Sequence, residues 1–285
     1  MIIITGANGK LGRAVVEQLL TRVPASQVGV SVRDPDAARA LSDRGVRVRR
    51  GDFADPASLT HAFEGAWRVL IVSIASLGEA KVAQQRAAIE AARAAGASRI
   101  FYTSHAGAAP DSPFAPMPDH AATEQALRAS GVASTALRNG FYADTAAMLL
   151  GRAVGTGELA APADGPIDYT SHADLAESTA IALADEALDA ETLYLTGAEA
   201  LDLDAVAAIG SELTGRPIRR TVVSDDVYRE RMVAAGVPEP RAAMMVGLFA
   251  ASRQGRFTRV DPTMARLLGR PPMTVRDTLK ASLTK

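Results

Sequence analysis

The chain is 285 residues long, enough for one large domain or a domain with an annex, and either can bury a sizeable core. With no cysteine it has neither a disulfide framework nor a thiolate nucleophile, and 31 basic against 32 acidic side chains leave no electrostatic footprint for nucleic acid. The start MIII has no basic n-region, and no apolar run approaches the roughly 18 residues of a membrane span, so a soluble cytoplasmic protein with no membrane or nucleic-acid partner is expected.

The first twenty residues, MIIITGANGKLGRAVVEQLL, run from a buried strand (Ile2 to Thr5) through Gly6, Gly9 and Gly12 into a helix with Leu11, Val15 and Leu19 on one stripe. At such a junction the chain must turn sharply, let a pyrophosphate approach the backbone and pack helix on strand without a Cβ. Backbone N–H groups at the helix start then face the anion. In this strand-turn-helix setting the triplet reads as a dinucleotide site, against the alternative of a tight turn that binds nothing. The second strand, Val28 to Val32, ends in VRDP. An acidic residue there suits the ribose 2′-hydroxyl of NAD, an arginine the 2′-phosphate of NADP, and Arg33 and Asp34 point in opposite directions. Asp34 has a structural occupation as N-cap of a helix with Pro35 at its first position, so Arg33 decides for NADP.

Further strands are predicted at Val46 to Arg49, Val69 to Ser73, Ile100 to Ser104 and Ser134 to Leu137, alternating with helical segments as in βαβ units of a parallel sheet. Asp55 with Pro56 opens a helix through Phe63. The Ala-rich segment Glu79 to Ala95, closed by Gly96, is poor in aromatic residues and reads as a helix packed on the sheet rather than as a binding face. The short basic runs Arg47 to Arg50 and Arg216 to Arg220 read as solvated strand faces.

The fifth strand ends FYTSH and the sixth LRNGFY, and in a parallel sheet these ends face the crevice. A short-chain alcohol dehydrogenase needs Tyr-x-x-x-Lys here, the lysine lowering the phenol pKa for proton transfer. None of the five tyrosines has a lysine four residues on, since lysine occurs only at 10, 81, 280 and 285, and no G-x-S-x-G elbow surrounds Ser104. In that place stands DHAATEQAL, with His120 and Glu124 on one helix face. His61, His105 and His172 lack the spacing to complete a metal site with them. His120 reads equally as a surface residue behind an Asp119 N-cap and as a hydrogen-bond or proton donor reaching the crevice. Beyond 140, Gly151, Gly155, Gly157, Pro162, Gly165 and Pro166 read as loops. A helix from His172 to Leu188, a strand Leu193 to Thr196 able to return to the main sheet, and four more helical segments follow. Met244, Met245, Leu248 and Phe249 read as core more readily than as pocket.

Taken in order, TGANGKLG, VPASQV, VRDP, RRGDF, FYTS, DHAATE and LRNGFY, continuing through AGVPEP to LLGRPPMTVRDTLKASL, resemble the NmrA-like group of atypical short-chain dehydrogenase/reductases. Within it the resemblance is to type 2 NADPH:quinone oxidoreductases and triphenylmethane reductases. It implies an α/β fold, a Rossmann-type doubly wound parallel sheet over residues 1–140 with a smaller, mainly helical lobe over 141–285 that caps the substrate. It also implies NADP(H) as cofactor and hydride transfer to a quinone or similar flat, electron-poor aromatic acceptor. Carried onto this chain, Gly6, Asn8, Gly9, Lys10, Leu11 and Gly12 hold the pyrophosphate, Arg33 the 2′-phosphate, Asp52 and Phe53 the adenine side, and Ser73 and Ile74 the ribose end. Thr103, Asn139, Gly140 and Phe141 lie around the nicotinamide, and Ser104, His120, Asn139 and Tyr142 are the catalytic candidates. The missing Tyr-Lys pair fits, because a quinone accepts hydride at a low barrier and its phenolate needs only water or one donor. NmrA itself implies a second reading, a NAD(P)-sensing regulator acting through a protein partner without turnover. A sugar-nucleotide epimerase fails on the missing pair, and homo-oligomerisation is left open.

Overall fold

Ile2, Ile3 and Ile4 are all buried, and because successive strand side chains point to opposite faces, Ile2 and Ile4 enter one core while Ile3 enters another. Both faces of this strand are therefore covered, as parallel sheets require. The computed structural model describes residues 1–283. Its first half runs β1 (Ile2–Thr5), α1 (Lys10–Leu19), β2 (Val28–Val32), α2 (Arg39–Ser42), β3 (Arg47–Arg50), α3 (Pro56–Phe63), β4 (Arg68–Ile71), α4 (Glu79–Ala94), β5 (Arg99–His105), α5 (Pro116–Ala129) and β6 (Ala133–Asn139). Then follow β7 (Phe141–Tyr142), α6 (Ala143–Thr156), β8 (Glu158–Pro162), β9 (Ile167–Thr170), α7 (His172–Ala184), β10 (Thr192–Leu195), β11 (Ala200–Leu201), α8 (Leu203–Thr214), β12 (Arg219–Val223), α9 (Asp225–Ala234), α10 (Glu239–Arg253), α11 (Thr263–Leu268) and α12 (Val275–Leu283).

The main sheet has seven strands in the order β10-β6-β5-β4-β1-β2-β3, every neighbouring pair parallel. This is a Rossmann-type α/β sheet. The chain winds outward in one direction through β2 and β3 and in the other from β4 onward, so the crevice opens at the carboxyl ends of β1 and β4. One face is covered by α1, α7 and α11 through Val15, Val16, Leu19, Leu175, Leu183 and Met264. The other is covered by α3, α4 and α5 through Leu59, Phe63, Ala88, Ile89, Ala92 and Leu127. Asp55 accepts the N–H of Ser58 at 3.3 Å and caps α3 with Pro56 at its first position.

A further core joins α6, α8, α10 and α12 to β8 and β9, with Leu150, Leu159, Val206, Leu248 and Leu279 inside. Here the pattern of loops read from glycine and proline gives way. Gly151 and Gly155 lie within α6 and Gly157 ends it in the left-handed conformation (φ 71°). Burial of Ala143, Ala146, Leu150 and Ala153 along one side outweighs the roughly 1 kcal/mol that each interior glycine costs a helix. Among the described residues five helices, not four, follow β10, and the six-residue α11 is too short to show a period. The helix expected to reach Leu188 stops at Ala184, where Arg68 donates to the carbonyls of Leu183 and Asp185 at 2.8 Å each. Arg220, read as part of a solvated face, is instead buried against Asp164 at 3.0 Å.

Candidate active site

The glycine turn is built by close backbone approach. Gly6 has φ 65°, and its carbonyl accepts the N–H of Gly9 at 2.9 Å. A Cβ on Gly12 would stand 2.3 Å from that carbonyl, so no other residue fits there. Gly9 is the N-cap of α1 and offers no side chain, which leaves the first-turn N–H groups facing the crest. Beside it, the buried hydroxyls of Thr5 and Thr103 accept the N–H groups of Val72 and Ser73 at 2.8 Å each and draw the chain after β4 over the sheet.

Around this turn the expected cofactor residues fall into two groups. Asn8 donates to the carbonyl of Asp34 at 2.9 Å and ties the glycine loop to the end of β2. Arg33 is exposed there and has no hydrogen bond or ion pair with any described residue. Asp34 accepts the N–H of Asp36 at 3.1 Å, but the segment it caps is a single 3-10 turn, Asp36–Ala38, and not a helix begun at Pro35. Asp52 accepts from Ala54 at 3.0 Å within its own loop, and Phe53 packs half-buried on the core under α3. Leu11 is buried, so only its backbone faces the crest, and Lys10 is ion-paired across the crevice with Asp144 of α6.

The second group converges. Ser73, Ile74, Thr103, Ser104, His120, Asn139, Gly140, Phe141 and Tyr142 all line one cleft of about 380 Å³ over the ends of β4, β5 and β6. Asn139 is buried, yet neither its Oδ1 nor its Nδ2 has a hydrogen-bond partner among the described residues, although the Tyr142 hydroxyl is nearby. Its backbone is fixed, its carbonyl accepting from Ala106 at 2.8 Å. An orphaned buried amide costs roughly 1–3 kcal/mol, so a ligand that pairs it recovers that energy. Tyr142 is 37% exposed at the mouth, its ring 4.3 Å from that of His172. Gly140 is small for a packing reason: a Cβ there would lie 2.1 Å from the buried Asp168 carboxylate.

Ser104 is committed elsewhere. It donates to Glu124 at 2.5 Å, and Glu124 also takes both arms of Arg138 at 2.9 and 2.7 Å. Glu124 thus serves this buried network and not His120.

His120 is buried, which removes its reading as a surface residue. Gln85 Nε2 donates to the Tyr102 hydroxyl at 3.2 Å, leaving the phenol proton for His120 Nδ1 at 2.8 Å. Burial, then the charges of Lys81 and His105, hold the His120 pKa well below its ordinary value. Burial keeps the ring neutral, and with the Tyr102 hydroxyl assigned as donor to Nδ1 the ring proton is on Nε2. His105, next to Asn139 in the β5–β6 register, behaves alike: its Nδ1 accepts from Gly107 at 2.9 Å, and burial, then Lys81, push it down to about 3. Phe141 and Phe257 meet its ring edge-on at 5.1 and 5.6 Å and form an aromatic wall.

One sequence expectation fails in this corner. Asp119 does not cap its own helix, which begins earlier at Pro116; its carboxylate accepts at 2.8 Å from Gly78, the N-cap residue of α4. The helix α4 packs on the sheet as expected through Ala88, Ile89 and Ala92, and Lys81 in its first turn also lines the cleft at 2% exposure. The clue was available: Lys81 is the lone lysine between Lys10 and Lys280, and it opens a helix just after a strand end at the crevice.

The profile of the NmrA-like family matches residues 1–269. Over 282 residues the chain is 33% identical to quinone oxidoreductase 2 of Escherichia coli K12, covering 98% of this chain and 97% of that one. It is 30% identical to the NAD(P)H azoreductase of Xenophilus azovorans over 283 residues, 99% and 97% of the two chains. The crystal structure of the Escherichia coli NADPH-dependent quinone oxidoreductase in complex with NADPH superposes with a TM-score of 0.94 at 32% identity, over all of both chains. That of Citrobacter sp. triphenylmethane reductase complexed with NADP(H) superposes at 0.92 and 32% identity, covering 99% and 100%.

Proposed function

The chain belongs to the NmrA-like family, and from that membership and the chemistry of the cleft we propose that it is an NADPH-dependent oxidoreductase passing hydride to a quinone or a similar flat, electron-poor aromatic acceptor. The observation that carries the reading is Asn139, a buried amide unpaired on both atoms at the strand end where the nicotinamide of such folds lies. Three features fit the dinucleotide: the glycine cradle that a Cβ at Gly12 would fill, the orphaned Asn139 amide, and Arg33 without a partner among the described residues. When bound, NADPH supplies the hydride.

Residues 1–140, joined by α7, β10 and α11 on the main sheet, then carry the dinucleotide, and the rest of 141–285 caps the acceptor, with Phe141 and Met244 closing the cleft. The first-turn N–H groups of α1 hold the pyrophosphate and Arg33 the 2′-phosphate. Asn139 pairs with the carboxamide, and Thr103 and Gly140 leave room for the ring. His120 offers its Nε2–H to the acceptor, Tyr142 borders the mouth, and Ser104 positions the strand end through Glu124. Apolar walls orient a planar acceptor, and orientation supplies much of the rate when the acceptor is already easily reduced.

No described helix is long and apolar enough to cross a membrane. A cysteine-free chain suits the reducing cytoplasm, where we place it. The test is NADPH oxidation followed by absorbance with a panel of quinones, azo dyes and nitroaromatics, alongside NADH and simple secondary alcohols with NADP. Turnover with quinones and none with alcohols is expected. Tight NADPH binding without turnover on any acceptor would reject the enzyme and favour a dinucleotide sensor.

A further inference from the structure

Lys81 is buried to 2% exposure and lines the cleft, and its Nζ makes no hydrogen bond or ion pair with any described residue. Buried charges are ordinarily paired, so an unpaired lysine facing a cavity indicates a group that a ligand completes. Two elements fix its place. Asp119 of α5 accepts from Gly78 and anchors the start of α4 one turn from Lys81, while Lys81 itself lies across from His105 and His120. Those two rings, with centroids 6.3 Å apart, are neutral and each carries its proton on Nε2. Lys81, His105 and His120 therefore all present donors to the cleft. The titratable groups around Lys81 are Asp119 and His120 on α5 and His105 on β5; the one carboxylate among them accepts the Gly78 N–H, is not ion-paired with Nζ, and by its charge opposes the effect of burial on Lys81.

Resting on the function proposed above, we propose that Lys81 is a catalytic residue: its Nζ, with the Nε2–H groups of His105 and His120, binds the acceptor oxygen that becomes anionic and gives it a proton. Hydride adds two electrons and one hydrogen to the quinone and yields the hydroquinone monoanion. The N–H bond of the Lys81 ammonium breaks, the O–H bond forms, the product leaves as neutral hydroquinone, and the free amine regains its proton from water. Of the three other candidates, His120 and His105 are neutral and Tyr142 stands at the exposed mouth, which leaves Lys81 as the buried donor. Burial lowers the Lys81 pKa, which brings the ammonium closer to the proton affinity of a phenolate. The same charge sets substrate class. A low-dielectric cleft with an unpaired ammonium accepts neutral quinones and binds quinones bearing an ionised oxygen, and it repels cationic triarylmethane dyes.

The test uses full-length protein, Lys81→Met and Lys81→Arg, with NADPH binding and thermal melts as controls for folding. Calorimetry without cofactor measures binding of lawsone, a hydroxyquinone ionised at neutral pH, against neutral menadione. In Lys81→Met, lawsone binding should weaken by about tenfold to a hundredfold while menadione binding changes by less than about threefold, and Lys81→Arg should restore lawsone. Menadione turnover should fall by about tenfold or more in kcat with KM little changed, and the alkaline loss of wild-type activity, set by Lys81 below its ordinary pKa, should vanish. Malachite green reduction should rise in Lys81→Met. Equal losses for lawsone and menadione, or an unchanged kcat and pH profile, would overturn the role of Lys81 and leave the reductase reading intact. Wild-type protein that reduces no quinone would overturn the reductase reading itself.

Discussion

Arg33 ends β2 in solvent and has no partner among the described residues, whereas its neighbour Asp34 already accepts from Asp36. If Arg33 is the 2′-phosphate ligand, Arg33→Ala weakens NADPH binding by about tenfold to a hundredfold and leaves NADH nearly unchanged, because one charge-assisted hydrogen bond is lost and only NADPH makes it. Equal losses for both, measured by fluorescence titration, would assign the preference elsewhere. Asp168 makes a different prediction. Burial raises its pKa from the ordinary 3.8 to about 7, against hydrogen bonds from the Gly197 N–H and the Thr170 hydroxyl that act to lower it. Between those values the folded chain holds a proton that the unfolded chain has lost, so stability falls as pH rises through this window and levels off above it. The loss is on the order of 4 kcal/mol at most. Asp168→Asn should flatten the melting temperature between about pH 4 and 7 and raise it above; an unchanged slope would contradict the assignment. Residues at this scale were legible where local grammar dictated them. Gly6, Gly12 and Asn139 sit at fixed offsets from strand ends. Asp168, Lys81 and the Ser104–Glu124–Arg138 chain depend on partners 14 or more residues away, or on burial that no local pattern encodes.

At the scale of elements, the glycine turn separates folding from cofactor binding. A Cβ on Gly9 would approach the Gly6 carbonyl at 3.3 Å, a contact that a small shift relieves, while on Gly12 it would stand 2.3 Å away, against the Gly6–Ala7 backbone. Gly9→Val should therefore melt near the wild-type temperature and fail to bind NADPH, since its side chain meets the pyrophosphate. Gly12→Ala should lose both, with a destabilisation of roughly 1–3 kcal/mol read in urea unfolding. Identical melting of the two variants would contradict this account of the turn. The parallel strands were legible to within a residue or two because β1, β2 and β4 are buried runs rich in β-branched residues, β3 (RVRR) shows an alternation, and caps such as Asp55-Pro56 punctuate them. After residue 140 two strands, β7 and β11, are only two residues long, and the helix α6 carries glycines that local propensity assigns to loops. There tertiary burial overrides propensity, and the sequence pattern fails for that reason.

Across the whole molecule, the strand order places the dinucleotide crest and the cleft side by side, and residues from beyond the first six strands complete the cleft. Phe141 and Met244 come from the chain after β6, and the Lys10–Asp144 and Tyr142–His172 contacts join the glycine loop and the mouth to α6 and α7. The family was legible from motifs spread over nearly the full length, and the sheet followed from its alternation. The chemistry of the cleft was not, because it arises where α4, α5 and β5 meet. Two-electron reduction in that cleft is tested most directly by anaerobic stoichiometry. With limiting NADPH and excess menadione, one hydroquinone should form per NADPH consumed, with no semiquinone signal by electron paramagnetic resonance beyond that of an enzyme-free mixture of menadione and its hydroquinone. NADPH that stays bound and unoxidised while menadione remains fully oxidised would contradict the account.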